Sequence, residues 1–275
     1  MAVISTNLAA NSAVRYLNAN SADQTASLSK LASGSRIVSA ADDASGLAIS
    51  TRISSDVTAL TQAATNASHG TSILQTADGG ASNISDMLQR MKALASQSAS
   101  GTVTDSERTY IQAEFAQLVE EIDGIAQSTR YNGESLLDGT SDFSTGMVVV
   151  VGSDATSDTI TVTIDALTST ELGVDTSDIS TQAGATTAIT AIDAAIDSVS
   201  SARANIGALE SRFEFRSNTI ATSIENLEAA NSAIKDVDVA AESANLASIK
   251  VKTQAAVAAA AQANSMPQEL LKLLQ

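Results

Sequence analysis

The side chains that could do acid, base or metal chemistry are few in this sequence. His69 is the only histidine, and it lies in the polar stretch NASHGTS. A general base needs a reacting partner, an orienting group and a pocket, and the residues around His69 offer none of these. The adjacent carboxylates Asp42–Asp43 and Glu120–Glu121 could share a proton or bind calcium, but neighbours on a helix point in different directions. We therefore expect no acid pair and no calcium site.

A phosphate site would need a glycine-rich loop. Asp78-Gly79-Gly80 lacks the surrounding G-x-x-x-x-G-K pattern, so we expect a local kink or a flexible point there. The chain has no cysteine, which excludes thiol nucleophiles, zinc fingers and iron–sulfur clusters. We expect no catalytic residue, no cofactor and no metal, and a protein that is not an enzyme.

The composition favours long helices. Hydrophobic residues make up 44% of the chain but aromatic residues only 3%, and the abundant alanine favours helices while adding little core volume. The net charge of −16 opposes binding to nucleic acid or to anionic membranes. No stretch approaches the ~20 apolar residues that span a bilayer, and no signal peptide is visible. We expect neither a nucleic-acid partner nor membrane insertion.

Both ends of the chain predict helices with a thin apolar stripe in a heptad pattern. Because neither stripe can form a core alone, we expect the two helices to pair as a coiled coil and to bury their remaining apolar surface against neighbouring molecules. The apolar residues of this predicted assembly seam are Val14, Leu17, Leu28, Leu31, Leu246, Ile249, Leu270 and Leu274. Smaller residues share the second stripe, namely Thr253, Ala256, Ala260 and Ala263.

Between the ends, the pattern predicts an antiparallel helical bundle with a small β-hairpin, and the fold is mainly α. Heptad spacing predicts helices over 84–94 with an extension back toward 49, over 111–125 after a capping box at Thr104 and Glu107, and over 189–234. The β-branched runs 147–151 and 159–164 predict the hairpin. Residues 131–202 contain eleven acids and no Lys or Arg, so we expect this segment to face water.

Several blocks of sequence resemble those of bacterial flagellins. The long block at the N-terminal end runs from Ser33-Gly34-Ser35-Arg36-Ile37 through Ser39-Ala40-Ala41-Asp42-Asp43-Ala44-Ser45-Gly46-Leu47-Ala48-Ile49. Shorter blocks are residues 88–95, 131–133, 206–209, 212–213, 236–238 with Glu242, 244–246, 261–264, 267–268 and 270–271. The resemblance covers roughly residues 1–140 and 185–275. Only about 45 residues separate the two regions, so it indicates a short flagellin with little or no outer-domain insertion.

The resemblance implies a domain organisation and a function. Residues 1–43 and 237–275 would form an inner coiled-coil domain, residues 44–140 and 185–236 a helical body domain, and residues 141–184 an acidic, solvent-facing hairpin or variable segment. In the family this hairpin is associated with switching between filament forms. The implied function is a structural subunit that polymerises into the flagellar filament and transmits motor torque for swimming.

The resemblance also implies partners and a location. They are a flagellar export chaperone, the type III export apparatus, the filament cap and the hook-associated proteins, and the filament itself is extracellular. The family's innate-receptor contact maps onto Arg90, Leu94 and Glu114. Because Ala93 and Leu118 differ from residues of many recognised flagellins, we expect weakened but retained activation of a Toll-like receptor.

Two alternatives stay open. A hook–filament junction protein is the nearer one, since such proteins resemble flagellins at their ends. An enzyme carrying a catalytic insert in the variable region is the more distant one, but the segment is short and contains neither His nor Cys.

Overall fold

The computed structural model describes residues 7–273, and the side chains of residues 7–266. The helices are α1 (Leu8–Ser33), α2 (Ala44–Ala99), α3 (Asp105–Ser128), α4 (Asp142–Thr145), α5 (Gln182–Lys235) and α6 (Val239–Leu273). The strands are β1 (Arg130–Tyr131), β2 (Glu134–Ser135), β3 (Met147–Val150) and β4 (Thr159–Val162). The mainly helical fold predicted from the sequence is confirmed. Within the described part of the chain, no helix is long and apolar enough to cross a membrane.

The chain forms two compact units, and α2 and α5 contribute turns to both. Unit 1 comprises Met1–Ser55 and Asn226–Gln275, and unit 2 comprises Asp56–Glu225. These boundaries lie inside the two long helices, whereas the sequence placed them at the ends of those helices. Within unit 1, the Ser50 hydroxyl donates to Asn231 Oδ1 at 2.7 Å and Asn231 Nδ2 donates to Ser54 Oγ at 3.4 Å, so the first turns of α2 are bonded to the last turns of α5.

Unit 2 is built around an antiparallel bundle of α2, α3 and α5. Ion pairs connect α2 to α5 at Lys92–Asp193 (2.5 Å) and Asp78–Arg203 (2.8 Å), so one helix ascends as the other descends. Apolar side chains at helical spacing fill the space between the helices, because each helix presents one apolar stripe. The largest fully buried ones on these helices are Leu74, Ile84, Leu88, Met91, Phe115, Ile122, Ile192 and Phe213.

Helix α2 runs unbroken through Gly79 and Gly80, where the sequence predicted a local kink or a flexible point. A Cβ on Gly80 would lie 2.5 Å from Thr129 Oγ1 and 2.8 Å from Leu137 Cδ1, whereas one on Gly79 would meet nothing within 4 Å. Gly80 therefore allows a close approach between α2 and the segment that follows α3.

The predicted hairpin forms, with Met147 opposite Val162 and Val150 opposite Thr159. The expectation that residues 141–184 only face water is wrong in part, because many of their apolar side chains are buried in unit 2. Alternation along β4 buries one face and exposes the other, and the irregular chain after it continues to bury side chains. The buried apolar residues of the segment are Phe143, Val151, Ile160, Val162, Ile164, Leu167, Leu172, Val174 and Ile179.

The capping box predicted at the start of α3 is present. Thr104 accepts a hydrogen bond from the Glu107 backbone N–H, and the Glu107 carboxylate accepts one from the Thr104 backbone N–H at 2.8 Å. The Thr104 backbone N–H and the Thr104 hydroxyl both donate to this carboxylate and lower the pKa of Glu107, the bond from the backbone contributing most. Arg108, buried one residue later, donates to the carbonyl oxygens of Ser98 (2.8 Å) and Ser100 (2.9 Å). The turn between α2 and α3 is therefore stabilised by the capping box at the start of α3 and by the bonds from Arg108 to the end of α2.

Candidate assembly and receptor surfaces

In unit 1, the turn after α1 is bonded to the turn before α6, and we call this bonded region the clasp (residues 34–37 and 234–237). Gly34 ends α1 in the left-handed conformation at φ 69°, which glycine adopts without strain. The Arg36 N–H donates to Lys235 O at 2.6 Å, and the Val237 N–H donates to Gly34 O at 3.1 Å. The Arg36 guanidinium also donates to Ile234 O at 2.7 Å.

The rest of the long block that resembles flagellins stabilises the start of α2. Backbone N–H groups of Ser39 and Val38 donate to the Asp42 carboxylate and lower its pKa, the Ser39 bond contributing most. The Asp43 carboxylate accepts from the Gly46 N–H at 2.8 Å. Hence the adjacent carboxylates Asp42 and Asp43 bind backbone groups of a turn and a helix start.

Helices α1 and α6 pack along each other over much of their length. The Asn7 side-chain amide donates to Ala263 O at 2.7 Å near one end of the pair, and the Ser27 hydroxyl bonds to the Glu242 carboxylate near the other. On α6, the less exposed positions follow the predicted stripe: Leu246, Ile249, Thr253, Ala256, Ala260 and Ala263. Leu270 lies in α6 but beyond the residues whose side chains the structure describes, and Leu274 lies outside the described residues.

On α1, the predicted stripe and the observed contact face agree only in part. Leu17 and Leu31 are half-buried, but Val14 is 47% exposed and Leu28 is 58% exposed. Other side chains of α1 that are partly or fully covered are Ala13, Asn20, Gln24 and Ser27. Small and polar side chains allow α1 to lie close to the alanine-rich face of α6, which leaves Val14 and Leu28 outside the pair.

Large apolar side chains are exposed mainly in unit 1. Of the thirteen in the described part of the chain, ten belong to this unit. They are Leu8, Val14, Tyr16, Leu28, Val38, Ile49, Val239, Val251, Val257 and Met266. Such a concentration of exposed apolar surface is typical of a surface that a protein partner covers.

The structure separates the three residues expected to contact a receptor. Arg90 and Glu114 are exposed and form an ion pair between α2 and α3, with Arg90 Nη2 2.5 Å from Glu114 Oε1. Leu94 is only 3% exposed, so its side chain lies in the bundle core and cannot be a receptor contact in the folded protein. Leu94 continues the apolar stripe of Ile84 and Met91, and this core role takes precedence over the resemblance.

The residues considered for catalysis are dispersed. His69 is exposed on α2, and Glu120 and Glu121 are exposed on α3. Among the described residues, no three His, Cys, Asp or Glu side chains are grouped in a way that could hold a metal ion.

Two family models match the chain, and they cover most of it. The bacterial flagellin N-terminal helical region matches residues 4–142, and the bacterial flagellin C-terminal helical region matches residues 189–274. The chain belongs to the bacterial flagellin family. This flagellin is therefore a structural subunit that polymerises into the flagellar filament, which transmits motor torque for swimming, and the family is a structural one.

Curated relatives match this flagellin over nearly its whole length. It is 37% identical to flagellin of Halalkalibacterium halodurans, over 99% of this chain and 100% of the relative. It is 35% identical to flagellin of Bacillus subtilis, over 99% of each chain. The prediction of a short flagellin is confirmed, because the match over 273 residues covers the whole of the Halalkalibacterium halodurans relative.

Two solved structures are similar to this flagellin. The crystal structure of Bacillus cereus flagellin has 33% identity and a TM-score of 0.51, and the match covers 57% of this chain and 88% of that one. A putative flagellar hook-associated protein from Vibrio parahaemolyticus has a TM-score of 0.59 at 16% identity, covering 71% and 100%. The second likeness concerns the fold alone, so the junction-protein alternative has less support than the filament subunit.

Proposed function

We propose that this flagellin polymerises through the apolar side chains that α1 and α6 leave exposed. The observation that carries this proposal is the concentration of ten of the thirteen exposed large apolar side chains in unit 1. Burying apolar surface gives about 25 cal/mol per Å², and a neighbouring copy of the chain could cover these side chains.

The predicted seam residues have two different roles in this proposal. Leu17, Leu31, Leu246 and Ile249 hold α1 and α6 together within one subunit, because they are half-buried or buried there. Val14 and Leu28 face outward and contact neighbouring subunits. Leu270 and Leu274 extend the α6 stripe by their spacing.

The test compares exposed apolar residues of the two units. The double variant Leu28→Ser with Val251→Ser removes apolar surface from unit 1, and the matched control Val148→Ser with Phe215→Ser does so in unit 2. All four side chains are exposed, so both variants should fold with unchanged circular dichroism. We expect the unit 1 variant to raise the critical concentration for polymerisation by about tenfold or more, since about 1.4 kcal/mol corresponds to a factor of ten.

A larger rise in the critical concentration for the control than for the unit 1 variant would contradict the proposal. If the unit 1 variant polymerises like the unaltered chain while the control does not, the contacts between subunits lie in unit 2. Sedimentation of polymer from monomer gives the critical concentration directly.

The finer cellular role follows from the family resemblance. The chain passes through the flagellar type III export apparatus, an export chaperone holds its C-terminal segment beforehand, and it assembles under a cap protein beyond the hook-associated proteins. The product is an extracellular filament with no catalytic activity. Quantitative mass spectrometry of filaments sheared from cells should find this chain as a main component, whereas a few copies per filament would favour the junction-protein alternative.

Recognition by a Toll-like receptor is centred on Arg90 and Glu114. Their exposure and mutual ion pair support this surface, and the buried Leu94 is left out of it. Arg90→Ala in the monomer should reduce receptor signalling in a reporter-cell assay. Lys92→Ala, which alters another exposed, ion-paired cation on the same helix, should not reduce it. Equal losses of signalling in the two variants would contradict the proposed receptor surface.

A further inference from the structure

Pro267, the only proline of the chain, lies inside α6 and deprives one backbone carbonyl of its usual donor. In an α-helix the carbonyl oxygen of residue 263 accepts a hydrogen bond from the N–H of residue 267. Proline has no N–H, so Ala263 O needs a donor from outside the helix. Ala263 is only 7% exposed, and an unpaired polar group in such a place costs free energy.

The donor comes from the start of α1. Asn7 Nδ2 donates to Ala263 O at 2.7 Å, while Asn7 Oδ1 accepts from the Ala10 N–H at 3.0 Å and caps α1. The orientation of the amide follows from these partners, because a backbone N–H can only donate and a carbonyl oxygen can only accept. One side chain therefore caps its own helix and satisfies the carbonyl that the proline of the other helix leaves free. Aspartate would cap α1 as well as asparagine does, but its carboxylate could not donate to α6.

The Asn7–Ala263 contact lies in the same antiparallel register as the other polar contact between the two helices. From the Ser27–Glu242 bond to the Asn7–Ala263 bond, the path covers 20 residues of α1 and 21 residues of α6. The two helices therefore run along each other without a slip between these points. A slip of one heptad would move Asn7 about 10 Å along the helix from Ala263 O.

We infer that Asn7 is a positioning residue, whose bond to the carbonyl left free by Pro267 fixes the axial register of α1 on α6 at the end of the pair farthest from the clasp. Ala256 and Ala260 present the same small side chain at successive turns of α6, so apolar packing alone distinguishes poorly between registers. A polar contact that forms in only one register supplies the distinction.

The register also decides how the exposed apolar side chains of α1 and α6 are arranged relative to each other. Val14 and Val257, for example, are both exposed on this pair of helices. This consequence for assembly rests on the proposed function, whereas the Asn7–Ala263 contact lies within one chain and can be tested without filaments.

The experiment uses disulfides, because the chain has no cysteine and an introduced pair can form only one disulfide within a chain. Ala10→Cys with Ala260→Cys places two half-buried thiols in the observed register, about one turn from the Asn7–Ala263 contact. Ala10→Cys with Thr253→Cys reports a slip of one heptad. The effective concentration of each pair is measured in the full-length monomer against a glutathione buffer. We expect it to be about tenfold or more higher for the pair in the observed register.

Asn7→Asp separates the donor from the cap, because it removes the donor and keeps an acceptor for the Ala10 N–H. We expect it to lower the effective concentration of the Ala10→Cys, Ala260→Cys pair by about tenfold, since it leaves Ala263 O unpaired. The matched control is Asn18→Asp, which makes the same change in charge at an exposed position of α1 and should have no effect. A residue that only caps α1 would tolerate Asn7→Asp.

Pro267→Ala provides a second arm, because it gives residue 267 an N–H that can donate to Ala263 O within α6. In this background Asn7→Asp should lower the effective concentration by less than about threefold. The effects of the two substitutions are then non-additive, as expected for residues that share one hydrogen bond acceptor.

Three results would overturn the inference. They are an unchanged effective concentration in Asn7→Asp, a loss of the same size with and without Pro267→Ala, and equal values for the observed and the slipped cysteine pairs when Asn7 and Pro267 are both present. Polymerisation through the exposed apolar side chains would stand in each case. A chain that fails to polymerise would contradict the proposed function and leave the register contact intact.

Discussion

At Gly80 the absence of a side chain determines how closely α2 packs against Thr129 and Leu137. The atoms that an added Cβ would meet belong to Thr129, at the end of α3, and to Leu137, which is fully buried. Neither can move away cheaply, because the interior is close-packed. The neighbouring Gly79 lies in the same helix with open space around it, so the two glycines form a natural matched pair.

We expect Gly80→Ala to destabilise unit 2 by about 1–3 kcal/mol, as overpacking does. Gly79→Ala should stabilise it by about 0.5–1 kcal/mol, because alanine loses less backbone entropy in a helix. Urea denaturation of the monomer followed by circular dichroism measures both. Equal effects of the two substitutions would show that the close approach at Gly80 is unimportant.

Gly80 and Leu94 show where reasoning from the sequence was insufficient. The role of Gly80 depends on Thr129 and Leu137, which lie far along the chain, so the local Asp-Gly-Gly pattern could not reveal it. Leu94 was open to two interpretations from sequence, as a member of an apolar stripe and as a receptor contact. The stripe predicts the burial of Leu94 correctly, because apolar residues at heptad spacing lie on the face of a helix that packs against the core.

At the scale of elements, Arg108 connects the end of α2 to the start of α3. Its buried guanidinium donates to Ser98 O and Ser100 O, and it forms an ion pair with Asp105 at 2.7 Å. Next to it, the Ser98 hydroxyl donates to Ile179 O at 2.5 Å. The turn between the two helices and the irregular segment before α5 are thus bonded through neighbouring groups.

Replacing Arg108 with Met should leave the two carbonyl oxygens without their donor. An unsatisfied buried polar group costs about 1–3 kcal/mol, so Arg108→Met should lower the stability of unit 2 by at least that amount. Arg212→Met, an exposed change on α5, serves as the control and should stay within about 0.5 kcal/mol. Thermal denaturation of the two monomers should separate them, and a stable Arg108→Met protein would contradict the bonding described here.

Elements with regular spacing were predictable, and contacts that depend on small residues were not. The stripe of α6 was found because Leu246 and Ile249 mark its phase. On α1 the larger Val14 and Leu28 were selected, whereas the contact face uses Ala13 and Ser27. The segment after β4 has no helical or strand period, so nothing in its sequence pattern distinguished the buried Leu167 and Val174 from exposed neighbours.

At the scale of the whole molecule, the two units should respond separately to loss of the C-terminal segment. The large buried side chains Leu74, Phe115 and Phe213 all belong to unit 2. In unit 1, by contrast, α6 contributes mainly alanines to its contact with α1, and small side chains bury little apolar area. The stability of unit 2 should therefore depend little on α6.

We expect removal of residues 246–275 to abolish polymerisation and to leave the thermal transition of unit 2 within about 2–4 °C of its original value, the shift that about 1 kcal/mol produces in a domain of this size. Sedimentation and calorimetry measure the two outcomes. A truncated chain that still forms filaments, or whose transition shifts well beyond this range, would show that the C-terminal segment has a different role.

The clasp has a consequence for how the chain ends find each other. The Ser35 hydroxyl donates to Lys235 O across 200 residues of sequence, so the start of α6 is tethered beside the end of α1. Tethering turns the encounter of two helices into an intramolecular step, whose effective concentration reaches the millimolar range for short connections. It also sets the axial register at one point, so a heptad slip would require breaking backbone hydrogen bonds of the clasp. A weak, alanine-lined seam can thus pair correctly without being strong.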